Sequence, residues 1–167
     1  NYDESSVGYD ASGRQNISVS PGGTITRTTF DSLGRVTGVY VGTNDTGATD
    51  ADPTNGGTSP NNMKKVEGRS YYAFNTEHGQ LNQITRHVDG TSGNDRSTTH
   101  QYDSRGRTLH VIREDAQGSG RDIITKFSYD ILDRTTMVQQ YHTDATVSTN
   151  LVSQVESFYD EQGRVYE

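Results

Sequence analysis

Four short oxygen-bearing side chains crowd one stretch of the chain: Asp45, Asp50, Asp52 and Asn55, set among Gly, Thr and Pro. Calcium, a hard cation, is held by clusters of carboxylate and carbonyl oxygens such as these. The spacing departs from that of an EF-hand loop, and the closing bidentate Glu is missing. The plainer reading is a solvated acidic loop. Calcium is the one cofactor these residues raise, and no other is expected. Five His are present, His78, His87, His100, His110 and His142, none of them in a paired metal-binding pattern. No nucleophile elbow and no phosphate-cradling Gly loop occurs, and Cys is absent, which removes thiolate chemistry and disulfides. The many carboxylates single out no acid–base pair. A non-enzyme is expected. Two N-glycosylation sequons, Asn16-Ile17-Ser18 and Asn44-Asp45-Thr46, complete the chemistry that the residues offer.

A stronger signal lies in what recurs. The pattern aromatic-Asp-x-x-Gly-Arg appears at Tyr9-Asp10…Gly13-Arg14, Phe30-Asp31…Gly34-Arg35, Tyr102-Asp103…Gly106-Arg107 and Tyr159-Asp160…Gly163-Arg164. A fifth copy, Tyr129-Asp130…Asp133-Arg134, carries Asp in place of Gly. A sixth, Phe74-Asn75…Gly79-Gln80, is worn and one residue longer. At this composition a single perfect match is expected about 0.01 times by chance, so four make this a repeat protein. Asp suits the first position of a type I turn, because its carboxylate can accept from backbone N–H groups ahead of it. Gly three residues on suits the left-handed position that follows such a turn in a tight hairpin, and Asp133 is among the few alternatives that visit it. Turns are therefore expected near 10–13, 31–34, 75–79, 103–106, 130–133 and 160–163. If Tyr102 faces Arg107 across the hairpin, the guanidinium can lie on the ring, and such pairs can form a ladder from hairpin to hairpin. The same register sets His100 against Leu109 and His110 against Thr99, on opposite faces, which disfavours a shared metal. The motif residues are read as scaffold rather than as ligand contacts.

These motifs resemble the YD repeat, also called the Rhs repeat, of very large bacterial secreted and surface proteins, toxin shells and the animal teneurins. The resemblance runs from Tyr9 to Arg164, apart from an insertion after Val41. It implies a long antiparallel sheet of successive β-hairpins wound as a β-solenoid, spiral or shell, and no active site within the repeats. It implies an extracellular or cell-surface location in a bacterium. Structural work in a larger protein comes first among the functions it raises. A carbohydrate- or partner-binding adhesion module and a wall segment of a toxin-enclosing shell stand as alternatives.

Composition agrees with an all-β array. Only 28% of the 167 residues are hydrophobic, against roughly 45–50% in an ordinary globular domain. A compact two-layer core is hard to build from so few, whereas a repetitive sheet satisfies its backbone laterally and needs less apolar burial. The net charge of −7 argues against nucleic acid as a partner. No apolar run is long enough to span a membrane as a helix. The whole chain, 1–167, reads as a single array of about six repeats with a loop insertion over 42–62, made of Gly, Thr, Asn, Asp and Pro. Strands are expected on either side of each turn, with no helix and neither sheet face cleanly apolar. Both ends cut through repeats: Tyr2-Asp3 reads as the tail of one, and Arg164-Val165-Tyr166-Glu167 as the start of a strand with no partner left. Open strand edges are templates for another chain. The expected partners are adjacent repeats or adjacent copies of the same protein, end to end in a fibre, with glycans as a second class.

Overall fold

The computed structural model describes residues 3–73, 79–89, 92–114, 122–142 and 150–166. They form thirteen strands: β1 (Ser6–Tyr9), β2 (Gln15–Val19), β3 (Ile25–Phe30), β4 (Val36–Gly42), β5 (Lys64–Tyr71), β6 (Leu81–Arg86), β7 (Arg96–Tyr102), β8 (Thr108–Arg113), β9 (Ile123–Tyr129), β10 (Thr135–His142), β11 (Leu151–Glu156), β12 (Phe158–Tyr159) and β13 (Val165–Tyr166). Two single 3-10 turns, Asn55–Gly57 and Ser92–Asn94, lie among the described residues. Strands β1 to β11 make one sheet whose order follows the chain, and β12 and β13 make a separate pair. The pairings whose register is defined are all antiparallel. The chain is all-β, an antiparallel meander. It divides into two compact units, Asn1–Ser70 with Thr85–Asp95, and Tyr71–Ile84 with Arg96–Glu167.

Local sequence explains the strands. β3 (ITRTTF) and β9 (IITKFSY) are rich in β-branched and aromatic residues, which fit a pleated, half-buried surface. Most strand side chains are half-buried, and the buried hydrophobic residues are Met63, Ile124 and Tyr141. Lateral pairing, more than a sealed core, organises each unit.

The register differs from the simple expectation in a regular way. Tyr102 pairs with Thr108, not with Arg107. The same offset sets Tyr9 opposite Gln15, Phe30 opposite Val36 and Tyr129 opposite Thr135. The reason is a bulge. Each Asp bonds to both residues that follow the turn: Gly106 N–H donates to the Asp103 carbonyl and Asp103 N–H to the Arg107 carbonyl, both at 2.9 Å. Two residues thus oppose one, which is the G1 bulge of a three-residue hairpin. A second irregularity follows one pair further on at each of these hairpins. His100 consequently faces Val111, and His110 faces Gln101, bonded to it at 3.0 Å. The two His still point to opposite faces, because Gln101 and His100 are neighbours on one strand.

Two further differences concern the insertion and the last strand. Residues 42–62 are tied down: the Asn62 carboxamide oxygen accepts from Thr43 and Asn44 N–H, and the Asn61 amide donates to the Pro53 carbonyl. Pro53 is fully buried, and Met63 closes the segment at 2% exposure. Its polar composition hides this, because Asn side chains replace strand neighbours as backbone partners. Val165–Tyr166 does have a partner, pairing with Phe158–Tyr159 across the last corner. The turn expected at 75–79 lies largely outside the described residues, as do Phe74, Asn75 and His78; its last residue, Gly79, has φ +69°.

Candidate functional site

The repeated corner is the one constellation the chain builds five times. At Asp10, Asp31, Asp103, Asp130 and Asp160, one carboxylate oxygen accepts two backbone N–H groups, two and four residues ahead, at 2.8–3.0 Å. The other accepts Nε–H of the motif Arg at 2.6–2.7 Å. The residue before that Arg sits at positive φ: +77° at Gly13, +79° at Gly34, Gly106 and Gly163, and +63° at Asp133. An Asp at the Asp130 corner therefore costs little conformationally, and Asp133 also accepts from Arg105 and Arg107 at 3.1 and 2.7 Å.

Electrostatics follow from these bonds. At Asp10 and Asp160 the N–H of Arg14 and Arg164 is the strongest influence and lowers the carboxyl below the ordinary aspartate value. At Asp31, Asp103 and Asp130 burial is the strongest influence and works the other way, but the N–H groups and the guanidinium together outweigh it. All five hold their charge to lower pH than an ordinary aspartate does.

The Arg held this way reaches forward to the next corner. Arg14 lies over Phe30 at 4.6 Å, Arg107 over Tyr129 at 4.6 Å and Arg134 over Tyr159 at 4.4 Å. Arg14 and Arg107 also donate to the carbonyls of Asp31 and Asp130 at 3.3 Å. In return, each Tyr hydroxyl donates to the residue after the previous motif's Arg: Tyr129 to the Thr108 carbonyl at 2.7 Å and Tyr159 to Thr135 at 2.8 Å. Tyr102 donates to Leu81 at 3.0 Å, where Gln80 holds the Arg position and bonds the Gly106 carbonyl at 2.8 Å. The guanidinium thus stacks between hairpins, not within one. The worn sixth copy keeps this link. Sequence reasoning placed the ring and the Arg in one hairpin because it could not see the bulge.

A Tyr129→Phe variant isolates one rung. It should lose about 1 kcal/mol, the net worth of one hydrogen bond whose acceptor is left half-buried. Urea unfolding against the parent checks this, and an unchanged midpoint would deny the rung any energetic role.

The acidic residues of the insertion are dispersed. Asp45 binds Arg27 at 2.8 Å, and Asp50 accepts from the Asn16 amide at 2.6 Å. Asp52 serves its own turn, accepting from Thr54 and Gly56, which lowers its pKa, the Thr54 hydroxyl first among the causes. Asn55 stands at φ +51° in that turn. Among the described residues no group of three or more His, Asp or Glu is placed to hold a metal. Asn16 is 4% exposed, so its sequon is closed to modification in the folded chain. A separate cavity of about 720 Å3 is lined by Lys64, Lys65, Ser92, His87 and Asp95, with His87 Nδ1 held by Asp95 at 2.7 Å.

No protein-family model matches the chain, and no curated protein matches it at a significant level. Solved structures do. The crystal structure of TcdB2-TccC3-Cdc42 superposes on 96% of this chain with a TM-score of 0.67 at 14% identity. The fold is shared. TcdB2-TccC3 without its hypervariable C-terminal region gives the same three values, and the Photorhabdus luminescens Tc holotoxin pore a TM-score of 0.65 at 14% identity over 96% of this chain. The chain spans 6–7% of the length of these solved chains.

Proposed function

We propose that this chain is a non-catalytic structural segment of the wall of a large bacterial, secreted, toxin-related protein. The carrying observation is the corner ladder. Its cations, rings and carboxylates are spent on one another, hairpin to hairpin, as a load-spreading scaffold requires and a ligand site does not. The likeness in fold to Tc toxin chains over 96% of this chain supports a wall over a rod or a fibre. Among the described residues no helix is long and apolar enough to cross a membrane. Electron microscopy of the protein that carries this segment tests the reading. A hollow particle with the segment in its wall is the expected result; a solid rod or an extended fibre would overturn it.

A further inference from the structure

Away from the corners, the cavity of about 720 Å3 lies within the unit of Asn1–Ser70 and Thr85–Asp95, and its lining includes two lysines that the corner ladder does not use. β4 and β5 pair Gly38 with Gly68, and both glycines are buried. Two facing residues without side chains leave a bare patch of sheet, and glycine inside a strand marks a place where another group approaches closely. The Lys65 stem lies across that patch, its Cε 3.2 Å from where a Cβ of either glycine would stand. Residues three apart on a flat strand point to opposite faces. Here Glu67 faces Val39 and Lys65 faces Tyr40, so Val66 is an extra residue, a bulge that turns Lys65 onto the face of Gly68. The carbonyl of the same Val66 accepts the His87 N–H at 3.0 Å, which anchors the facing segment. Lys65 Nζ thereby comes to 3.1 Å, and His87 Nε2 to 3.5 Å, from the one point that a Gly68 Cβ would occupy.

The two heads suit different ligand groups. A carboxylate only accepts, so the Asp95 oxygen 2.7 Å from His87 Nδ1 keeps the proton on that nitrogen and leaves Nε2 with a lone pair, an acceptor for a hydroxyl. The Lys65 ammonium only donates, and suits an anion. The carboxylates of the lining are engaged elsewhere: Asp95 with His87, and Asp89 with the Asn94 amide at 2.6 Å. Among the described residues neither Lys64 nor Lys65 has an ion-pair partner. Val66 and Val88 add apolar wall, and the volume falls in the range of small-molecule sites, roughly 300–1,000 Å3. We propose that this cavity binds a small hydroxy acid, an acidic sugar being the type. Its carboxylate sits on Lys65, a neighbouring hydroxyl donates to His87 Nε2, and Asp95 is the positioning residue. No corner residue takes part, so this site and the wall-segment reading stand or fall separately.

Calorimetric titration of the chain with glucuronate, glucose and acetate tests the site. Glucuronate should bind one to one. Glucose, which lacks the carboxylate, and acetate, which lacks the hydroxyl, should each bind at least roughly tenfold more weakly. Lys65→Gln should weaken glucuronate by a similar factor and leave thermal unfolding unchanged, since Lys65 is exposed. Gly68→Ala sets a Cβ on the seat itself and should abolish binding. Asp95→Ala should shift the His87 proton toward Nε2, read in the imidazole nitrogen resonances, and weaken glucuronate; unaltered resonances would remove the role given to Asp95. Absence of glucuronate binding, glucose or acetate binding as tightly as glucuronate, or binding that Lys65→Gln and Gly68→Ala both leave intact would each overturn the site.

Discussion

Gly106→Val is expected to unfold at a clearly lower urea concentration than the parent, by about 2–3 kcal/mol. Two costs add. Gly106 sits at φ +79°, where a β-branched side chain is strongly disfavoured. A Cβ there would also stand 3.1 Å from Gln80 Nε2, the atom that donates to the Gly106 carbonyl. The substitution strains the corner and pushes on the rung behind it. Gly13→Val separates the two, because Gly13 has φ +77° and nothing within 4 Å of the added Cβ; only the strain remains, about 1–2 kcal/mol. Gly106→Asn should cost less than Gly106→Val, since Asp133 already occupies the same backbone region at φ +63° and only the contact with Gln80 remains in full. Equal midpoints for Gly106→Val and the parent would contradict the left-handed corner.

Acid should melt the array steeply. Each of the five corner aspartates has a folded-state pKa below its ordinary value of about 3.9. A carboxyl with a depressed folded pKa contributes stability that is complete above the unfolded value and is lost as pH falls through the folded one. The melting temperature should therefore hold near neutrality and drop below about pH 4. Protonation removes the acceptor of the Arg at every corner together, so the losses coincide. His100 and His110 add an earlier, smaller step. Burial lowers both, with Lys126 a second cause at His110, so their contribution declines as pH falls below about 6.5. Melting measured from about pH 7 to pH 2 reads both steps. Asp103→Asn should lower the melting temperature at neutral pH and shrink the drop in acid. A curve flat through that range would show that the corner carboxylates are not held in their charged form.

The amino-acid sequence alone determined the corner and its repetition. Asp-x-x-Gly-Arg is a local code, because Asp and Gly satisfy and bend a backbone within five residues of themselves. That locality is why an antiparallel all-β chain that turns at Asp10, Asp31, Asp103, Asp130 and Asp160 could be read from the residues themselves. Tertiary structure decided what the local code cannot carry. The bulge moved Tyr102 from Arg107 to Thr108, and with that offset each Arg left its own ring for the ring of the next hairpin, a choice fixed only when two hairpins lie side by side. It decided likewise that Asp45 and Asp50 turn to Arg27 and Asn16 instead of to one another. Their partners lie 18 and 34 residues away in the chain, beyond the reach of any turn, and were brought to them by the pairing of β2, β3 and β4.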